Sequence, residues 1–447
     1  MSRILLATFG SLGDLHPYIA VGQALGARGH QAVIASCGDY EAAVTGAGLE
    51  FAAVPPRLDG MGDREVLTRR LFHPRQGTRR MLDEVVFPHL DAAHAAIDRA
   101  ADGAQLLVGH PLTFGVPVVA QRRGLPWLST VLAPSSFLSR HDPPRLSVDV
   151  LRRAHRLGPW AYDFMLGMVR HEVWRWEAPL RAFRARQGLP TPQIQIFEGQ
   201  FSSLGTLALF DPVLGAPQAD WPVDTQLCGA ALHDAGGADG SAETSAALEQ
   251  FLAEGEPPIV FALGSAAVWM GEDYFRSAIA ATVQLRRRAI LLTGKPWPEP
   301  LPAGIRAFAY LPYSRVFPRA AAVVHQAGIG TLSQALRSGR PQLITPAGFD
   351  QLDNAERASK LGLARVLPFQ KVTARRLRRE LAALLADAGA AQAAARVAGQ
   401  LDGQGAARAA QAIEAALLGS LRSQDSPARP LSRVPHGRAE GRTSPRR

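Results

Sequence analysis

The sequence predicts an α/β protein of two domains, each built on a parallel sheet, and three observations carry that prediction. A unit of short apolar run, glycine turn and helical stripe recurs in both halves of the chain. The length of 447 residues exceeds what one core serves, at roughly 100–200 residues per domain. Between Pro217 and Pro258 the pattern breaks at Trp221-Pro222, Gly229 and the Gly/Ala/Asp/Ser stretch His233–Ser245, which marks a boundary.

In the first half, Ile4–Phe9 reads as a buried strand, Gly10–Asp14 as a turn and Pro17–Arg28 as a helix. Its stripe is Ile19, Val21 and Leu25 with Ala20 and Ala24, Pro17 suits a first turn, and Gly29 suits a terminator. Gln31–Ser36 returns as a strand, which makes a right-handed parallel unit. Strand Leu106–Gly109, helix Phe114–Arg123 and strand Trp127–Val131 repeat the grammar. Residues 148–188 place Trp160, Phe164, Met168, Val173 and Trp174 at helical spacing, either as a cleft wall or as ordinary amphipathic helices. The second half reads as strand Ile259–Leu263, helix Tyr274–Gln284, strands Ala289–Leu292, Ile305–Phe308 and Ala322–His325, helix Thr331–Ser338 and strand Gln342–Thr345. Helical stretches Thr373–Leu385 and Ala391–Leu418 close the chain. The expectation is two Rossmann-like parallel-sheet domains facing across a cleft: 1–225, a linker at 226–256, 257–405, a helix at 406–422 packing back on the first domain, and a disordered basic tail at 423–447.

Composition narrows the function. With 47% hydrophobic and 20% charged residues the chain is globular rather than disordered. Cys37 and Cys228 are its only cysteines, which leaves no disulfide framework and no zinc spacing, and suits a reducing, cytoplasmic setting. The apolar run Ile4–Phe9 is too short for a signal segment, and every longer candidate for a membrane span is interrupted by Arg, Asp, Gln or Pro. The net charge of +10 gathers partly in the tail, where residues 423–447 hold six arginines against Asp425 and Glu440. No aromatic-rich basic strand accompanies it, so nucleic acid is not an expected partner, whereas peripheral contact of the tail with the inner membrane face is.

Open parallel sheets bind ligands beyond the carboxyl ends of their strands, and two loops stand out there, Gly10–Pro17 and His325–Thr331. The second, His325-Gln326-Ala327-Gly328-Ile329-Gly330-Thr331, lies between a strand and a helix, as an anion site or a tight structural turn. It lacks the Gly-Lys-Ser/Thr ending of an ATP-binding loop and the three-glycine spacing of a dinucleotide fingerprint. Asp350 and Gln351 offer acceptors and donors suited to sugar hydroxyls, or else form a helix cap.

Taken together, Tyr310-Leu311-Pro312, His325–Thr331, Gly339-Arg340-Pro341, Pro346, Phe349-Asp350-Gln351 and Asn354 resemble the donor-binding signature of the UDP-glycosyltransferase superfamily. Gly10–Pro17 is similar to the acceptor-domain opening of its bacterial members, so the resemblance spans about residues 1–420. Ala133-Pro134-Ser135, Pro143-Pro144 and Ala219-Asp220-Trp221-Pro222 look like those of rhamnosyltransferase catalytic chains and of lipid, sterol and macrolide glycosyltransferases. The resemblance implies a GT-B architecture with no required metal and no cofactor besides a nucleotide diphosphate sugar as co-substrate, on UDP or dTDP. It implies inverting transfer of a hexose or deoxyhexose to a hydroxyl of a hydrophobic acceptor such as a hydroxy-lipid, sterol or polyketide.

By the same resemblance Tyr310 stacks on the base, Gly328, Gly330 and Thr331 hold the diphosphate with help from Ser265, and Asp350 and Gln351 hold the sugar. The chain departs from the pattern where relatives carry a diphosphate-contacting histidine two residues before Gly328: Gln326 stands there, with His325 one residue earlier as ligand or structural residue. Tyr310 replaces a tryptophan common in plant relatives. The base expected near the anomeric carbon is Asp14, with His16 as competitor unless it caps the helix at Pro17. His110, Trp127, Phe137, Trp160, Phe164 and Trp174 line an apolar acceptor pocket or belong to the core. The alternative from another class is a catalytically weak nucleotide-sugar-binding partner of another transferase.

Overall fold

The computed structural model describes residues 1–425 apart from 74, 147, 148, 192 and 235–241, with side chains as far as residue 420. From residue 426 onward the expected tail lies outside the described residues. The first sheet comprises β1 (Arg3–Ala7), β2 (Gln31–Ser36), β3 (Glu50–Ala53), β4 (Leu106–Gly109), β5 (Trp127–Val131), β6 (Thr206–Ala208) and β7 (Thr225–Leu227). It is parallel, in the order β3-β2-β1-β4-β5-β6-β7. The second comprises β8 (Ile259–Ala262), β9 (Ala289–Leu292), β10 (Ile305–Phe308), β11 (Ala322–His325), β12 (Gln342–Ile344) and β13 (Ala364–Val366). It too is parallel, in the order β10-β9-β8-β11-β12-β13. Strand order reverses between β1 and β4 and again between β8 and β11, so each sheet opens a crevice at its carboxyl edge.

The helices that matter for the site are α1 (Leu12–Ala27), α2 (Arg64–Leu71), α3 (Val150–His155), α4 (Pro159–Trp176), α5 (Ala178–Arg186), α6 (Ala242–Ala253), α7 (Ile329–Arg337), α8 (Gln351–Lys360) and α9 (Gly405–Asp425). Two depart from expectation. α1 begins five residues before Pro17, because Ser11 and Asp14 form a reciprocal capping box that starts the helix at Leu12. Pro17 therefore sits inside the helix, where its missing N–H leaves the Gly13 carbonyl without its usual donor. α6 falls inside the stretch expected to be linker, and its Leu248 and Phe251 pack into the second domain beside Val260 and Phe317.

α9 binds the domains together. Its Ala409, Ala410, Ile413 and Leu417 join one apolar core with Leu15 and Ile19 of α1 and with Leu332 and Leu336 of α7, so that core runs from one domain into the other. Glu414 adds an ion pair with Arg28 and a contact of 3.3 Å to His30. Truncating Ile413, which is fully buried, removes contacts on both sides of this core. Ile413→Ala is expected to lower unfolding stability by about 2–5 kcal/mol in a denaturant titration, with one cooperative transition splitting toward two as the domains uncouple.

Candidate active site

The amino-terminal loop is shaped around one carboxylate. Gly10 has a φ of 137°, and a side chain there would strike the carboxylate of Asp14. Asp14 reaches back so that its Oδ2 accepts from the Ser11 N–H at 2.7 Å and the Ser11 hydroxyl at 3.1 Å. Its other oxygen, Oδ1, lies 3.7 Å from His110 Nε2. The Nδ1 of His110 accepts from the Leu112 N–H at 3.2 Å, so a neutral ring carries its proton on Nε2, toward Asp14. The carboxylate is thus anchored through one oxygen and open through the other.

His16 is elsewhere. Its ring lies 5.4 Å from that of His233, its Nε2 is buried without a partner, and burial pushes its pKa down to about 4. It caps nothing, since Ser11 is the cap of α1. The structure therefore puts His110 beside Asp14 and leaves His16 apart from it. Sequence reasoning had set His110 among pocket-lining residues, because contact between the ends of β1 and β4 is not visible in either loop alone.

On the opposite side Gly328 leads into α7, which starts at Ile329, and a Cβ on Gly330 would stand 3.8 Å from both Cα and O of Gly13. The amino ends of α1 and α7 thus approach each other across the cleft, and their unpaired N–H groups and dipoles make a gap suited to negative charge. Gln326 packs its amide over Gly264, whose φ of 66° and lack of a side chain make room for it, and its Oε1 is buried without a partner. Ser265 follows in the helical turn Gly264–Ala267 after β8. Thr331, in the first turn of α7, has its hydroxyl bonded to Tyr313. Tyr310, beyond β10, is half-buried, and burial raises its pKa.

His325 does not face this gap. It is fully buried, with Nε2 at 3.0 Å from Gln342 Oε1 and Nδ1 accepting from the Ala327 N–H at 3.1 Å. Burial pushes its pKa down to about 4, so it is a neutral ring with both nitrogens used. Its work is on Ala327, which has a φ of 67° and needs holding. The Asn354 amide grips the same residue by donating to the Ala327 carbonyl at 3.0 Å. His325 thus shapes the turn and is not a phosphate ligand.

Asp350 precedes α8 but its side chain makes no capping bond; instead it accepts from the Asn354 amide at 2.7 Å. Burial, and after it the charge of Asp14, raises its pKa to about 7. The two carboxylates therefore feel each other across the cleft. Gln351 Oε1 accepts from the Ala347 N–H at 2.9 Å and the Gly348 N–H at 3.3 Å, which leaves its amide nitrogen to donate. Phe349, with a φ of 54°, sets its ring edge-on to Phe72 at 5.1 Å, so the residue beside Asp350 leans on the first domain.

Charged groups on the next turns of α8 clasp that domain. Arg357 donates to Asp353 at 2.6 Å, to Asp142 at 2.5 Å and to the Leu214 carbonyl at 2.9 Å. The Arg145 N–H donates to Asp353 at 2.7 Å, and Arg152 pairs with Glu356. The expected aromatic set does not form one pocket: Phe137 stacks on Trp221 at 4.2 Å in the core, Trp174 lies under Arg181 at 4.0 Å, and Trp160 and Phe164 are exposed. A small apolar cavity opens instead beside the end of β1, lined by Phe9, Val54, Val86, Leu90, Leu112 and Phe114. Among the described residues no group of three or more His, Cys, Asp or Glu is arranged to hold a metal ion.

The C-terminal domain described as erythromycin biosynthesis protein CIII-like matches residues 290–411. The chain is 32% identical over 378 residues to O-mycaminosyltylonolide 6-deoxyallosyltransferase of Streptomyces fradiae, covering 81% of this chain and 84% of that one. Its fold matches the glycotransferase of kitacinnamycin with a TM-score of 0.68 and 20% identity, over 93% of this chain and 99% of the other. It matches glycosyltransferase VinC, solved in complex with dTDP, with a TM-score of 0.64 and 20% identity, over 93% and 100%.

The clasp gives a direct test of the interdomain contact. Arg357→Ala leaves Asp353, only 3% exposed, without its cation. The expected loss is about 3–5 kcal/mol of unfolding stability at pH 7, typical of a broken buried pair, and Arg357→Lys is expected to recover only part of it because a lysine cannot span three acceptors.

Proposed function

The chain belongs to the UDP-glycosyltransferase superfamily and is a glycosyltransferase of GT-B architecture, and from that premise we propose that it moves a hexose or deoxyhexose, with inversion, from a UDP or dTDP sugar to a hydroxyl of a hydrophobic acceptor. The observation that carries this reading is the gap between the amino ends of α1 and α7, with Asp14 on one wall and Asp350 on the other. A diphosphate placed there is met by the N–H groups of Gly330 and Thr331, the Gln326 amide and Ser265, all of which stabilise the charge that grows as the sugar–phosphate bond breaks. Asp350 accepts from sugar hydroxyls and the Gln351 amide donates to one. The acceptor oxygen attacks the anomeric carbon from the face opposite the phosphate, its proton passes to Asp14 Oδ1, and the nucleotide diphosphate departs. His110 directs its Nε2–H toward that oxygen from 3.7 Å.

A polyketide acceptor has the strongest support, since the Streptomyces relative is named for a tylonolide substrate, and a dTDP donor is supported by the nucleotide in the VinC structure. A hydroxy-lipid or sterol acceptor and a rhamnosyl donor are finer variants of the same proposal. The partner-protein reading rests on Gln326, where a neutral amide replaces the usual histidine; Gln326 nonetheless reaches the gap, which favours an active enzyme. Buried free thiols at Cys37 and Cys228 support a cytoplasmic location. Contact of the basic tail with an anionic membrane face belongs to this proposal as well, and among the described residues no single helix is long and apolar enough to cross a membrane.

Calorimetric titration with UDP, dTDP, GDP and ADP tests the donor side: selective binding of UDP or dTDP is expected, and binding of none of them would leave the enzyme reading without its donor. Asp14→Asn is expected to lower kcat at least about a hundredfold, as loss of a general base does, with donor affinity nearly unchanged. For Asp350 the sign follows from its raised pKa. Sugar hydroxyls donate to the ionised carboxylate, so below about pH 7 donor binding must first expel a proton. Donor affinity should therefore rise between pH 5.5 and 7.5, and flatten in Asp350→Asn.

A further inference from the structure

Two phenylalanines cross between the domains beside Asp350. Phe72, the residue that ends α2 in the first domain, packs against the apolar cluster of the second that holds Leu263, Met270 and Leu367. Phe349, from the second domain, packs against the cluster of the first that holds Leu82, Val86 and Phe87. The two rings meet edge-on at 5.1 Å, a geometry whose attraction exceeds what the buried area alone supplies. The fit continues into the backbone, since a Cβ on Gly348 would already touch the ring and the carbonyl of Phe72, at 3.4 and 3.7 Å. Arg64, the first residue of α2, sets its guanidinium over the Trp269 ring at 5.0 Å, so both ends of this helix are held to the second domain.

We propose that Phe72 is a positioning residue for the donor sugar: acting through Phe349, it holds Asp350 and Gln351 in place, so that the second domain reads the sugar only while α2 of the first is packed against it. The inference rests on the reading of Asp350 and Gln351 as the pair that holds the sugar. Gln351 ties its turn to itself through the Ala347 and Gly348 N–H groups, and Asp350 is tied to Asn354 of α8. Phe349 ties that turn to the first domain. Its φ of 54° is one that a residue with a side chain disfavours. Without the opposing ring Phe349 is free to relax toward negative φ, and the peptide that leads into Asp350 turns with it. Gly330, Thr331 and Gln326, proposed for the diphosphate, stand on α7 and the turn before it, so the nucleotide part of the donor does not depend on the ring pair.

The test is calorimetric titration of the full chain with UDP and dTDP and with UDP-glucose and dTDP-glucose, read as the ratio of the sugar-bearing to the bare nucleotide's affinity. Phe72→Ala is expected to lower that ratio about three- to tenfold, the factor an aromatic pair is worth. Affinity for the bare nucleotide should change little, which also shows that the variant is folded. Phe349→Ala should match it, Phe72→Tyr should restore most of the ratio, and Phe72→Ala added to Asp350→Ala should lower it no further. With no ligand present, amide hydrogen exchange at residues 346–351 should quicken in Phe72→Ala. An unchanged ratio, an equal loss for the bare nucleotide, a loss that adds in full to that of Asp350→Ala, or unchanged exchange would each overturn the proposal. Failure of the unsubstituted chain to bind any of these ligands would overturn the reading beneath it, and the proposal with it.

Discussion

The structure turns on two helix amino ends brought toward one another. Unpaired N–H groups at the start of a helix carry partial positive charge, and apposing two such ends without an anion between them is unfavourable. The chain accepts that arrangement because α9 runs one apolar core through both domains and because Arg357 and Glu356 fasten α8 to the acceptor side. The gap that results is held ready for negative charge before any ligand arrives. A preorganised dipole field of this kind needs no reorganisation when charge develops, which is where much of a glycosyl-transfer barrier is lowered.

The same economy explains the buried polar residues around the gap. Ala327 and Phe349 adopt left-handed backbone conformations that cost about 1–2 kcal/mol each for residues with side chains. His325 and Asn354 hold Ala327 from both its N–H and its carbonyl, and Phe72 backs Phe349. In this way the histidine that looked like a ligand becomes the support of the loop that binds. Asp350, raised toward neutrality by burial and by Asp14, stores an unfavourable charge that hydroxyl donors would relieve in the function proposed above. Strain and misplaced charge thus sit where a ligand compensates them.

Legibility in the sequence followed the reach of each signal. Strands interior to their sheets such as β2, β4, β5, β9 and β11 were readable to the residue because buried strands are unbroken apolar runs. The short strands β3, β6, β7 and β13, of three or four residues with Glu50, Thr206, Gln226 and Arg365 among them, were not, since so few residues establish no period. The start of α1 was misread because Pro17 is a stronger local signal than a capping box formed by a serine and an aspartate. The clasp on α8 was invisible: Asp353, Glu356 and Arg357 on a helix read as a solvated face, and only the approach of residues some two hundred positions away makes them buried.

By itself the sequence determined what depends on neighbours along the chain: two parallel-sheet domains, the glycine loops at their strand ends, and the motif on which the proposed roles of Asp14, Gln326 and Asp350 rest. Tertiary structure decided what depends on contacts between distant segments. It set His110 rather than His16 beside Asp14, turned His325 inward, filled one oxygen of Gln351, and left Trp160 and Phe164 in solvent instead of in a pocket. The physical reason is the same in each case. A residue's type and spacing state which bonds it can make, while the direction its side chain takes, and therefore which bond it does make, is settled by the strand, helix or domain packed against it.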